Sequence, residues 1–330
     1  MKSDAFAYEA NWPLSNPHAQ NILASSPLRA WLLKRQFPGL REHQWVDLKL
    51  ADGTCLVGQY NSPQPERELD SLLVLFHGWE GCSESNYMLA AAGAALEAGH
   101  HVFRLNFRDH GPSHHLNQEL FHSCRIDEVV AGTASVIERF GRSRNQLAGF
   151  SLGGNFALRT ALRAPEAGIA LDRALAFSPV VSPHACMDAL ESIAFYEHYF
   201  VRKWRRSLQL KQRHFPNRYR LEPVLRTRSI RHLTEQLVRE FSGFNGIDDY
   251  LHGYSIAGDR LKGLQIPCRI LTAEDDPIIP HRDFRSLMDN PALEIRSTRH
   301  GGHCAWLGGR GGRNWMQRQL LSWLDQAGTN

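Results

Sequence analysis

The chain lacks a long hydrophobic run. Nowhere do about eighteen apolar residues follow one another, so no ordinary membrane-spanning helix is expected. Residues 1–20 are polar and interrupted by Pro13 and Pro17, without the apolar stretch of a secretory signal. Cysteine is sparse and scattered: Cys55, Cys82, Cys124, Cys186, Cys268 and Cys304 form no C-x-x-C pair. That usage argues against a disulfide frame or a zinc site and for reduced, buried thiols in a cytoplasmic protein. No long polar or repetitive tract suggests disorder. What is present is 330 residues with 42% apolar content, enough for one large α/β domain carrying an insertion.

Residues 1–43 carry scattered apolar side chains (Trp12, Ile22, Leu23, Trp31, Leu32, Leu33) and read as an arm of one or two short helices packed on the main body. Within it, Asn16-Pro17-His18-Ala19-Gln20-Asn21 reads by spacing as a surface loop. From Gln44 the apolar period becomes two, and Asp52-Gly53 marks the turn of a β-hairpin. Leu72 to Phe76 reads as a buried strand, followed by a helix from Tyr87 to Ala98 and a strand from His101 to Asn106. An amphipathic helix from Cys124 to Phe140, a strand into Gly149, a helix to Ala164 and a strand from Ala174 to Phe177 come next. Strand character returns at Ile266–Leu271 and Leu293–Ser297, with a helix expected from His281 and a last one from Asn314 to Asp325. Two antiparallel strands and then strand–helix repeats specify a mostly parallel, doubly wound sheet. The expected division is an arm, 1–43; a core, 44–181 and 263–330; and a helical cap, 182–262, inserted before the last strands.

Gly149-Phe150-Ser151-Leu152-Gly153 fits G-x-S-x-G, the nucleophile elbow of α/β-hydrolases. The glycines let strand and helix approach where a Cβ would clash, and the serine is thrust clear of the backbone at the head of a helix. The motif is short enough to arise by chance, so context decides. Ser151 and His77-Gly78-Trp79 both follow strands at their carboxyl ends, where open α/β sheets place their sites. A serine hydroxyl needs a base, and the base an orienting acceptor, in the chain order serine, acid, histidine. Asp276 and His303 lie on loops after the C-terminal strands, at separations 276 − 151 = 125 and 303 − 276 = 27. Asp276 is preferred to its neighbour Asp275 because it is fourth in its loop and precedes Pro277. His303 is preferred to His300 because the flexible Gly301-Gly302 precedes it. Backbone amides of Leu152 and Trp79 are the expected oxyanion donors, and His77 reads as a loop brace. His110, His114 and His115 cluster without carboxylates at ligand spacing, so no metal and no cofactor is expected.

From Arg202 to Arg231 there are eleven Lys or Arg against one acid, Glu222. A solvated helix face and attraction to anionic substrates or an anionic membrane surface both fit this run. Nucleic acid fits poorly, for no binding motif accompanies the charge.

The chain resembles the YheT-like α/β-hydrolases (AB hydrolase superfamily, family 4) over nearly its whole length. Residues 16–20 resemble that family's "NPHxQT", 76–81 its "HGLEG", 106–108 its "NFRGC" and 149–155 its "GFSLGGN". Phe244 to Tyr250 resembles "GFxxxxDYY", and Asp275-Asp276-Pro277 and His300 to His303 resemble "DDP" and "HGGH". The resemblance implies a serine carboxylic-ester hydrolase with Ser151, Asp276 and His303 as triad, among relatives acting on medium-chain acyl esters, on phospholipids, or in acyl transfer to alcohols. Asn21 replaces the family's threonine, and Asp109-His110 replaces its Gly-Cys. The expected activity is hydrolysis of short-to-medium acyl esters, small or lipid, through an acyl-serine. Acyl transfer to an alcohol is the alternative, and a non-catalytic binding protein a weaker one, since the Ser, acid and His are all present.

Overall fold

The computed structural model describes residues 8–308 and 314–326. Helices α1 (Pro17–Ala24) and α2 (Pro27–Gln36) open the chain, each with proline in its first turn and a polar N-cap. Strands β1 (Gln44–Lys49) and β2 (Cys55–Asn61) form the hairpin, followed by β3 (Ser71–Phe76), α3 (Asn86–Glu97), β4 (His101–Asn106), α4 (Ile126–Phe140) and β5 (Arg144–Phe150). Then come α5 (Leu152–Arg163) and β6 (Arg173–Phe177). Five helices lie between β6 and the next strand: α6 (Pro183–Ser192), α7 (Ala194–His214), α8 (Glu222–Leu225), α9 (Ile230–Phe241) and α10 (Ile247–Gly253). The chain closes with β7 (Cys268–Ala273), β8 (Leu293–Thr298) and α11 (Trp315–Leu324).

The eight strands form one sheet in the order β1-β2-β4-β3-β5-β6-β7-β8. β1 and β2 are antiparallel, and the six strands from β4 onward across the sheet are parallel. β3 is buried throughout and reads as an unbroken apolar run because helices cover both faces. On one face α3 and α11 bury Leu89, Trp315 and Leu320; on the other, α4 and α5 bury Val129, Val136 and Phe156. The helices between β6 and β7 add a small core of their own, with Leu208, Tyr219 and Leu233. From β3 the chain moves to one side to make β4, then crosses back to the other side to make β5. The crevice between the ends of β3 and β5 is therefore the switch point at which such sheets bind ligands.

Several local expectations need correction. Residues 17–24 are a helix, not a surface loop: Asn16 caps it by accepting the amides of His18 and Ala19, and Gln20 is fully buried. Most of the arm's large apolar side chains do not pack inward. Trp12, Ile22, Leu23, Trp31 and Leu32 are exposed, and only Leu33 of the set is buried. The helix expected from His281 is a 3₁₀ turn, His281–Ser286. Of the six free cysteines only Cys268 and Cys304 are buried.

Candidate active site

Strand β5 delivers Phe150 into a turn where Ser151 adopts φ 56° and ψ −121°, left-handed backbone that costs a side-chain-bearing residue about 1–3 kcal/mol. Its surroundings hold it there. The Ser151 amide donates to Phe177 O of β6 at 2.8 Å, and α5 begins at the next residue. A Cβ on Gly149 would lie 2.1 Å from Gly153 O, and one on Gly153 would lie 2.4 Å from the carbonyl oxygens of both Phe76 and His77. Strand, turn and helix can close this tightly only with glycine at both positions.

Beside the turn, the β3 register aligns Phe76 with Gly149, which brings residues 77–81 against Ser151. His77 accepts the Phe107 amide through Nε2 (3.1 Å) and donates through Nδ1 to Gly78 O (2.8 Å). Burial pushes its imidazole down to about 4, so it is neutral in one tautomer and braces the loop. Tyr87 Oη accepts the Gly78 amide at 2.9 Å. The Trp79 ring stacks on Phe200 and meets Trp204 edge-on, tying this loop to α7. His110 is likewise a brace, donating through Nδ1 to Arg108 O and accepting the Glu80 amide. His114 bonds Ser207 Oγ, and His115 packs on His214. Among the described residues, no three His, Cys, Asp or Glu come together in an arrangement that would hold a metal.

At the ends of β7 and β8 the two adjacent acids separate. Asp276 Oδ1 accepts the amides of Ile278 and Ile279 (2.9 and 3.0 Å), while its Oδ2 lies 2.9 Å from His303 Nδ1. The carboxylate is wholly buried and the imidazole 14% exposed. Asp275 accepts the Gly302 amide at 2.9 Å and lies 3.3 Å from His300 Nδ1, so that pair shapes the loop. Ser151, Leu152, Trp79 and His303 all line one cavity of about 450 Å³, whose walls include Met187 and Leu190 of α6, Phe200 of α7, Tyr250 of α10 and Tyr254 just beyond it. Asp275 and His300 are not among its lining residues.

Two residues of this neighbourhood escape sequence reasoning. Asn21 Oδ1 accepts the His303 amide (2.8 Å), and its Nδ2 donates to Tyr196 Oη (2.9 Å), which also lies 2.9 Å from His18 Nδ1. Helix α1 is thus hydrogen-bonded at once to the His303 loop and to α7. The Asn16-Pro17 helix start was a readable signal for α1; nothing local signalled its partners.

Residues 71–307 match the family described as alpha/beta hydrolase fold. The chain belongs to the α/β-hydrolase family. It is 25% identical over 290 residues to the candidate esterase YheT of Escherichia coli (strain K12), covering 85% of this chain and 84% of YheT. It is 24% identical over 246 residues to phospholipase ABHD3 of Mus musculus, covering 72% of this chain and 58% of that protein. Among solved structures it resembles the Pyrococcus furiosus esterase Pf2001 (TM-score 0.59, 15% identity, covering 88% of this chain and 93% of that one). It also resembles a bacterial membrane phospholipase A (TM-score 0.56, 16% identity, covering 94% and 95%). The YheT-like pattern read from the motifs agrees with these matches, and membership brings the esterase-type hydrolase activity of the superfamily.

Proposed function

We propose that the protein is a serine carboxylic-ester hydrolase. The observation that carries this is the contact between His303 Nδ1 and buried Asp276 at 2.9 Å, on the wall of the cavity that also receives Ser151 from its elbow. In this reading Asp276 holds the imidazole with its proton on Nδ1, leaving the Nε2 lone pair to act as base. Ser151 Oγ attacks the ester carbonyl carbon as Nε2 takes its proton. The resulting oxyanion is met by the amides of Leu152 and Trp79, the first at the head of α5, where helix amides lack intrahelical partners. Collapse expels the alcohol, which leaves with the proton from Nε2, and the acyl group stays on Ser151. Water, deprotonated by the same nitrogen, then releases the acid and restores the serine.

The apolar cavity supports a short-to-medium acyl chain as the group accommodated, on a small or a lipid ester. Over their described residues, 182–262 act as a cap on a core of 44–181 and 263–330, with 1–43 as an arm against both. The six free thiols support a cytoplasmic setting. An anionic membrane surface is the source of lipid esters. A fluorophosphonate should label Ser151, and chromogenic butyrate and octanoate esters should give a burst of alcohol. Ser151→Ala should lose both while folding normally, and folded wild-type protein that resists labelling would refute the assignment. Added ethanol diverts the acyl group to an ethyl ester if acyl transfer is the physiological outcome.

A further inference from the structure

Of the eleven large apolar side chains exposed among the described residues, seven lie on α1, α2 and α7. Ile22 and Leu23 on α1, Leu28, Trp31 and Leu32 on α2, and Phe195 and Tyr199 on α7 all face solvent, Leu28 at 65%, Trp31 at 56% and Phe195 at 58% exposure. The elements are joined: His18 and Asn21 of α1 bond Tyr196 of α7, and two residues separate α1 from α2. Ile22, Phe195 and Tyr199 also line the cavity that holds Ser151, so the apolar surface continues into its mouth.

Helical spacing organises this surface. On α2, Leu28, Trp31, Leu32 and Arg35 fall at i, i+3, i+4 and i+7, and the Arg35 guanidinium lies 5.5 Å from the Trp31 ring centre. A globular protein ordinarily turns such a stripe toward its core; here the face is outward. On α7, Phe195, Tyr199, Arg202, Arg206 and Arg213 share one exposed stripe that starts aromatic at the cavity and turns cationic along the helix. The rest of the basic run is partly consumed. Lys211 is buried on Asp109 at 2.7 Å, Arg218 pairs with Glu119, and Arg231 pairs with Asp188 and Glu191.

We infer that α1, α2 and the exposed stripe of α7 form a surface that docks on a lipid bilayer containing anionic lipid, placing the cavity mouth on the headgroup region. Three features select this occupant. Tryptophan, tyrosine and leucine beside arginine is the composition that partitions to the membrane interface. The cations continue the apolar stripe where headgroup phosphates would lie. The surface also borders the opening of an acyl-accommodating cavity, so a bilayer supplies lipid ester to it. A second copy of the chain seated there would cover that opening and bring arginine stripes together. Among the described residues no helix is long and apolar enough to cross the membrane. The purpose of the surface rests on the ester-hydrolase reading of the cavity; its detection does not.

The test is vesicle flotation of the full chain carrying Ser151→Ala, which keeps lipid from being consumed. Vesicles of phosphatidylcholine with about a third phosphatidylglycerol should bind it about tenfold or more better than phosphatidylcholine alone, and salt should weaken the preference. Leu28→Ser, Trp31→Ser and Leu32→Ser together should lower vesicle binding about tenfold or more. In the Ser151 background the same triple change should leave hydrolysis of a water-soluble short ester within about twofold, since these side chains lie outside the cavity lining. Arg202→Glu with Arg206→Glu should remove the preference for phosphatidylglycerol. Undiminished binding by the triple variant, or no wild-type binding at low salt, would overturn the inference. So would a sedimentation dimer that the triple variant dissolves, since the face would then join two copies. Failure of the folded protein with Ser151 intact to react with a fluorophosphonate, while vesicle binding holds, would defeat the ester-hydrolase reading and leave the docking surface standing.

Discussion

Asn21→Ala is the sharpest test of how the arm acts on the site. The side chain is a two-sided bridge, donating to Tyr196 Oη at 2.9 Å and accepting the amide of His303 at 2.8 Å. The contact is close-packed: a Cβ on Gly302, which sits at positive φ, would come within 2.6 Å of Asn21 Oδ1. Alanine leaves the partly buried His303 amide without this acceptor, at a cost of about 1–3 kcal/mol. The orphaned amide belongs to the proposed base itself, so the cost falls first on the placement of its imidazole. At about 1.4 kcal/mol per tenfold, kcat for a chromogenic butyrate ester should fall about ten- to hundredfold, with KM changing less. Asn21→Asp keeps an acceptor for the amide and loses only the donor to Tyr196, so it should recover most of the rate. Tyr196→Phe should behave similarly. Fluorophosphonate labelling rates should follow the same order. If Asn21→Ala leaves kcat and labelling within about twofold, or if activity falls only in step with thermal unfolding, the positioning argument is wrong.

The remaining predictions concern charge. Asp276→Asn should lower kcat by about a thousandfold or more by disturbing the imidazole tautomer and leaving the fold intact; Asp275→Asn, whose hydrogen-bond partners among the described residues are His300 and the Gly302 amide, should cost far less, and comparable losses would undo the distinction. Burial pushes the Glu80 carboxyl up to about 8, opposed by Lys203 and reinforced by Asp109. Because its folded value lies above its unfolded one, the stability it contributes is full below the unfolded value and is lost as pH rises through about 8. Urea midpoints should therefore decline less for Glu80→Gln than for wild type between about pH 5 and about pH 9, and parallel declines would refute this.

Much of the framework was legible in the sequence because its causes are local. The unbroken apolar run of β3 and the strand–helix repeats mark a buried parallel sheet wherever they occur. Gly149 and Gly153 mark the elbow because a Cβ at either would strike backbone. His77 was readable as a brace from its place at the strand end. The arm misled because apolar spacing states that a helix has a face, not which way the face turns: Trp31 and Leu32 read as packed and are exposed. The basic run misled similarly, for Lys211 sits on the charged stretch yet is buried on Asp109, whose own side chain projects from a left-handed turn about a hundred residues away.

By itself, then, the amino-acid order determined the class of fold, the serine's turn and the candidate residues for its chemistry, since steric exclusion and periodicity act within a few residues. Only tertiary structure decided which carboxylate faces which imidazole, that Asn21 holds the His303 loop from 282 positions away, and that an exposed apolar surface borders the cavity mouth. Those outcomes depend on how distant segments are brought together, and hydrogen-bond partners and exposure exist only once the chain has closed on itself.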